Sequence, residues 1–184
     1  MKKSAPATSK KKVSQKQRKL NLLALRRKIR KDNHRYRAAS PAQKRVMIAK
    51  DILKWLAMGL FTAKRENAYL CLPGFDTYSS ENRDVQLDDA LLSSPTCEVC
   101  ARGAFFAAHI LRTDNITCGK MGDVNDVGKQ SSYLEADGVL ERDDFRHEME
   151  GEFESGGHRS GKEALVDICE RIIKNKGHKD SLRG

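Results

Sequence analysis

Apolar positions recur at helical spacing in several stretches of this 184-residue chain, most densely from Cys97 to Arg112 (CEVCARGAFFAAHILR). Set on a helix, Cys97, Cys100, Ala101, Ala104, Ala108 and Leu111 fall on one side, with Val99, Gly103, Phe106 and Ile110 beside them. Only Glu98, Arg102, Phe105, His109 and Arg112 share the remaining strip, and Glu98 stands four residues before Arg102, a favourable ion-pair spacing. A helix this apolar needs cover on two sides, so the pattern predicts a central rod, capped by Ser94-Pro95 or Thr96.

Two other helices carry strong start signals. Ser40-Pro41-Ala42-Gln43 combines an N-cap serine, proline at the first helical position and a capping-box glutamine. The helix it opens places Val46, Ala49, Leu53, Leu56 and Leu60 on one face, with Ile48, Ile52 and Trp55 alongside and Lys50, Asp51 and Lys54 towards water. Ser160 with Glu163 forms a second capping box, for a helix whose Leu165, Ile168, Cys169 and Ile172 face inward and which stops at Asn175-Lys176-Gly177. Ser131 to Glu154 reads as one or two helices packed through Leu134, Val139, Leu140, Phe145, Met149 and Phe153.

Between these lie segments without helical period. Asn67 to Leu72 suits a short strand before the Pro73-Gly74 turn, pairing with Val85 to Leu87. Residues 75–90 and Thr113 to Gln130, the latter with Gly119, Gly122 and Gly128, read as loops. The expected fold is mainly α: a small helical domain (40–178) around a central buried helix, with at most one short β-hairpin. A basic N-terminal arm (1–39), partly disordered, precedes it, and a short tail (179–184) follows.

Charge changes this picture. Residues 1–50 hold 18 Lys and Arg against one acid, Asp32, whereas the other 134 hold 17 bases and 24 acids. Residues 1–13 lack periodicity; from Ser14 to Ala39, Leu22, Leu25 and Ile29 make a narrow apolar stripe amid cations. A polyanion would relieve the repulsion among those cations and order the helix. The candidate nucleic-acid contacts are Lys10, Lys11, Lys12, Lys16, Arg18, Lys19, Arg26, Arg27, Lys28, Arg30, Lys31, Arg35 and Arg37, with Tyr36 the arm's only ring. Such a set fits phosphate contacts better than base stacking, so the expected partner is nucleic acid, with DNA or RNA undecided. The alternatives are an acidic host protein, an anionic lipid surface, or the chain's own acidic stretch from Glu135 to Glu154, which holds nine acids against Arg142 and Arg146.

Enzymatic motifs are weaker. Cys97-x-x-Cys100 on a helix would be chelating, but zinc needs four ligands. His109, twelve positions further along one helix, would be about 18 Å away. A redox dithiol wants a βαβ setting, so small buried thiols packing a helix crossing are the expectation. Gly156 to Lys162 matches the GxxxxGK of a phosphate loop but continues with Glu163 instead of Ser or Thr, and follows acidic helix rather than a strand. Asp144, Glu148 and Glu152 share a helix face and are the residues a Mg²⁺ nuclease would use, though such a row is more often solvated. We expect no enzyme, no metal and no cofactor. Five cysteines without an apolar leader, and no run long enough to span a bilayer, favour a reduced, cytoplasmic setting.

The pattern C-x-V-C-A-x-G-A-F-F at Cys97 to Phe106, with the closing A-L-x-x-I-x-x-x-I-I-x-N-x-G at Ala164 to Gly177, resembles small uncharacterised proteins of bacteria and their phages. The likeness covers about half the chain and excludes the basic arm. It implies a bacterial or phage cytoplasmic origin and, since no activity is assigned to that group, no functional residue.

Overall fold

The computed structural model describes Leu20, Ala24 and residues 33–65, 70–71, 96–113, 127–140, 144–155, 157 and 160–182. Residues 33–38 are helical. They lead into helix α1 (Pro41–Met58), which opens as its sequence predicts. Ser40 Oγ accepts from the Gln43 backbone N–H at 3.3 Å, and Gln43 Oε1 accepts from the Ser40 N–H at 3.0 Å. It closes on Gly59, whose φ of 69° is the left-handed region that favours glycine, and the Leu60 N–H returns to the Trp55 carbonyl at 3.0 Å.

That reversal feeds strand β1 (Phe61–Ala63), which pairs in parallel with β3 (Cys97–Val99); β2 (Leu70–Cys71) pairs antiparallel on the other side of β3. The result is a three-stranded sheet with β3 in the middle. Leu70 and Cys71 therefore pair with Val99 and Glu98; residues 85–87, their expected partners, lie outside the described residues.

The central helix begins later than predicted. Cys97 to Val99 is strand, with Cys97 and Val99 buried and Glu98 between them partly exposed, and helix α2 runs Ala101–Thr113. Four residues of alternating Cys, Glu, Val and Cys fit period 2 as well as 3.6, and the ladder partners offered by β1 and β2 decide the matter. Thr96 consequently caps no helix; its hydroxyl is 3.0 Å from that of Thr62. Glu98 pairs with Lys64 at 2.7 Å, not with Arg102, which pairs with Glu150.

From Ala101 onward the expectation of a central rod is met: every residue of α2 but Leu111 is buried. Ala104, Ala107 and Ala108 on its surface let neighbouring helices approach closely, while Phe105 and Phe106 fill the space around them. Against α2 pack α1, α3 (Val127–Ala136) and α4 (Asp144–Ser155); α5 (Gly161–Lys174) covers α1 and α4. The first turn of α3 overlaps the segment read as loop, with Gly128 as its second residue. Leu134, Val139, Leu140, Met149 and Phe153 are buried as predicted. The α5 capping box is formed through Ser160 and Glu163, and Leu165, Ile168, Cys169 and Ile172 all face inward.

Two boundary residues join this core. Tyr36, placed by sequence in the arm, and Leu182, placed in the tail, are both fully buried. After α5, Gly177 passes so close to α1 that a Cβ there would lie 2.0 Å from the Ala42 carbonyl oxygen. No helix among the described residues is long and apolar enough to cross a membrane.

Candidate functional site

The described end of the basic arm is bolted to the C-terminal end of α2. Tyr36 enters from the helical turn 33–38, and its hydroxyl lies 2.8 Å from His109 Nδ1. His109 Nε2 lies 3.1 Å from Asp137 Oδ2, in the turn after α3. The carboxylate can only accept, so with the imidazole neutral Nε2 carries the proton and Nδ1 accepts from the Tyr36 hydroxyl. Lys44 of α1 donates to the Asp137 carbonyl at 3.1 Å, and its ammonium lies 3.6 Å from the Asp137 carboxylate.

Burial sets the protonation of this chain of groups. It pushes the Tyr36 phenol well up, with the nearby Asp137 charge adding to the rise, so the hydroxyl stays neutral and able to donate. The hydrogen bond from His109 holds the Asp137 carboxyl below its usual range, and the nearby Lys44 ammonium acts the same way. Tyr36 also has cations around its ring: the Arg112 guanidinium 5.4 Å and the Lys44 ammonium 5.7 Å from the centroid.

Arg112 in turn binds Asp51 of α1 at 2.5 Å, both side chains being about nine-tenths buried. Asp51 was expected to face water. Instead α1 turns it inward, because α2 supplies a cation to meet it. Arg37 completes the joint by donating to the Thr113 carbonyl at 2.8 Å, satisfying a terminal acceptor of α2 and opposing the negative end of its dipole.

A tyrosine, histidine and aspartate in hydrogen-bonded series look like acid–base machinery. Tyr36 is 0% and His109 1% exposed, however, and neither lines a described cavity. The series positions the arm. Sequence reading did not find it, although two signals were present: a histidine on an apolar helix and the arm's single ring.

Of the thirteen predicted contact residues, Lys10 to Lys31 lie outside the described residues. Arg35 and Arg37 are both exposed, and Arg37 holds the α2 terminus as well. Lys44 and Arg45, also counted among the bases of residues 1–50, are buried. Arg45 donates to the carbonyls of Gly177 at 2.7 Å and Gly138 at 3.3 Å, clipping α1 to two turns. Acids of the acidic stretch that are engaged within the body include Glu135 with Arg146, Asp137 with Lys44 and His109, Glu150 with Arg102, and Glu152 with Arg171.

The cysteines are built into packing. Cys100 is the residue before α2, and its sulfur accepts from the Gly103 N–H at 3.4 Å, as an N-cap oxygen would. Desolvation nevertheless pushes the Cys100 thiol up, outweighing that N–H and the nearby Arg102, and burial raises Cys97 and Cys169 too. These are poor conditions for a thiolate nucleophile or ligand. With Cys97 on a strand and Cys100 at a cap, the helical i,i+3 chelating geometry does not exist. Among the described residues no three His, Cys, Asp or Glu side chains are grouped to hold a metal. Of the proposed nuclease row, Glu152 is paired with Arg171 at 3.0 Å. The phosphate-loop likeness ends in a capping box, and Gly161 sits where a Cβ would be 3.0 Å from the Ala63 carbonyl oxygen.

Compared with protein-family models, with curated proteins and with solved structures, the chain matches none.

Proposed function

We propose that this is a non-enzymatic, nucleic-acid-associated binding protein of a bacterial or phage cytoplasm, contacting phosphates electrostatically through residues 2–37. One observation carries the reading: 18 bases against one acid in residues 1–50, followed by a body in which acids outnumber bases. The structure adds support on both sides of that division. Four acids of the body's acidic stretch, Glu135, Asp137, Glu150 and Glu152, are engaged by cations of the body, and the root of the arm is fixed in the core by Tyr36. A cationic segment on a rigid mount reaches a polyanion without moving the domain.

Heparin or DNA retention tests this, with full-length chain and a chain lacking residues 1–31, a boundary that keeps Tyr36 and Arg37 in place. The expected result is loss of retention with the body still folded by circular dichroism. With six or more phosphates neutralised, log K should fall against log salt with a slope of about −5 or steeper. Affinity unchanged between low and high salt would sink the proposal. Pull-down that survives nuclease treatment would point to an acidic protein as the partner instead.

A further inference from the structure

Beside the arm root, residues 33–39 and the first turns of α1 enclose an open groove of about 440 Å³, within the size range of small-ligand sites. Its walls and floor differ in character. His34, Arg35 and Lys50 are exposed and line it, Val46 and Met47 form an apolar floor, and none of its described lining residues is acidic. Gln43 is there too; its oxygen is engaged by the capping box, so its nitrogen end is the part that can offer hydrogen bonds.

We propose that this groove seats one unpaired nucleotide of the strand whose backbone the arm holds. The inference rests on the nucleic-acid reading above and narrows it. Charge complementarity points to an anionic occupant, because three cationic or protonatable side chains surround the opening without an acid among them. An apolar floor is of no use to a bare phosphate, yet suits the face of a base. Imidazole rings and guanidinium planes are the platforms on which splayed-out bases stack, and His34 with Arg35 supplies one of each. Lys50 is placed for the adjoining phosphate and Gln43 for an acceptor on the base edge. The chain's own arm is the poorer occupant, since its cations would meet the groove's cations.

The two contributions separate experimentally because they read different parts of the ligand. Arm contacts see only phosphates, so they are indifferent to whether a base is attached. The groove sees the base. Fluorescence anisotropy of the full chain is therefore measured with a twelve-nucleotide single strand and with an abasic strand of equal length and charge. The informative variant is His34→Ala; the position is exposed and is not among the thirteen phosphate contacts, and alanine removes the stacking ring.

We expect the variant to bind the base-bearing strand at least about five-fold more weakly, the lower end of what stacking one base contributes, and the abasic strand within two-fold of the parent chain. Equal losses on both strands would mean that the groove holds phosphate alone and would overturn the proposal. So would no loss on either, which fits a groove covered by the chain's own residues. If the unmodified chain binds neither strand, the nucleic-acid reading itself fails, an outcome distinct from the other two.

Discussion

At its N-terminal end α2 enters directly from a strand, and its cap is a buried thiol beside a pair formed by the buried Arg102 and the part-exposed Glu150. At its C-terminal end the buried His109 meets Tyr36 and Asp137 and the buried Arg112 meets Asp51, which ties α2 to the arm root, to the turn after α3 and to α1, while the Thr113 hydroxyl turns back to the His109 carbonyl. The N-terminal cap tolerates small changes because sulfur is a weak acceptor. The C-terminal arrangement is unforgiving, since a buried charge stripped of its partner keeps its desolvation cost. The difference teaches where the fold is tied together: the polar end of the rod, not the cysteine end, fastens arm, α1 and the turn after α3 into one unit.

Breaking the ionic end should give the largest effect. Asp51→Ala leaves Arg112 buried without its carboxylate and should cost about 3–5 kcal/mol in urea unfolding. Pairing Asp51→Leu with Arg112→Met should recover most of that loss, and an equal cost for single and double variants would show that packing, not charge, is what matters there. Next comes Tyr36→Phe, which keeps the ring but leaves His109 Nδ1 without its hydroxyl, at about 1–3 kcal/mol. Cys100→Ala at the opposite end should cost only about 0.5–2 kcal/mol, the usual range for an N-cap, with Cys100→Ser retaining most of it. A Cys100→Ala loss exceeding that of Asp51→Ala would invert the comparison.

The subtlest test uses pH. Asp137 is held below the usual carboxylate range by His109 first and Lys44 after it, so its contribution is present above the unfolded aspartate value. It is lost as pH falls through the depressed folded value. Stability should therefore decline on the acid side, and Asp137→Asn should flatten that part of the profile while leaving the rest of the acid limb in place. Denaturant melts taken from neutral pH downward measure it.

Much of the architecture was readable in residue patterns. Both capping boxes formed at Ser40 and Ser160, and the inward face of α5 and the burial of Leu134, Val139, Leu140, Met149 and Phe153 were correct, because these features depend on residues three or four apart; Phe145 lies outside the residues whose side chains are described. Cys97 to Cys100 was misread because four residues cannot distinguish two periods. The strand there is held by Phe61–Ala63 and Leu70–Cys71, more than twenty-five positions away in sequence. Asp51 was assigned to water for a similar reason: nothing near it announces Arg112, sixty-one residues on. The candidate contacts Arg35 and Arg37 were legible as charge, but the groove beside one and the helix end gripped by the other were not.

Sequence by itself determined that this chain would be mainly helical, that its cations would be segregated from its acids, and that a helix within Cys97 to Arg112 would be its axis, since local periodicity and composition act over a few residues or over none. Only the tertiary structure decided which polar groups would be buried together and where the basic segment would be anchored. Tyr36, Asp51, His109, Arg112 and Asp137 are individually unremarkable letters, and their roles follow from desolvation and from partners that folding alone brings within hydrogen-bond reach.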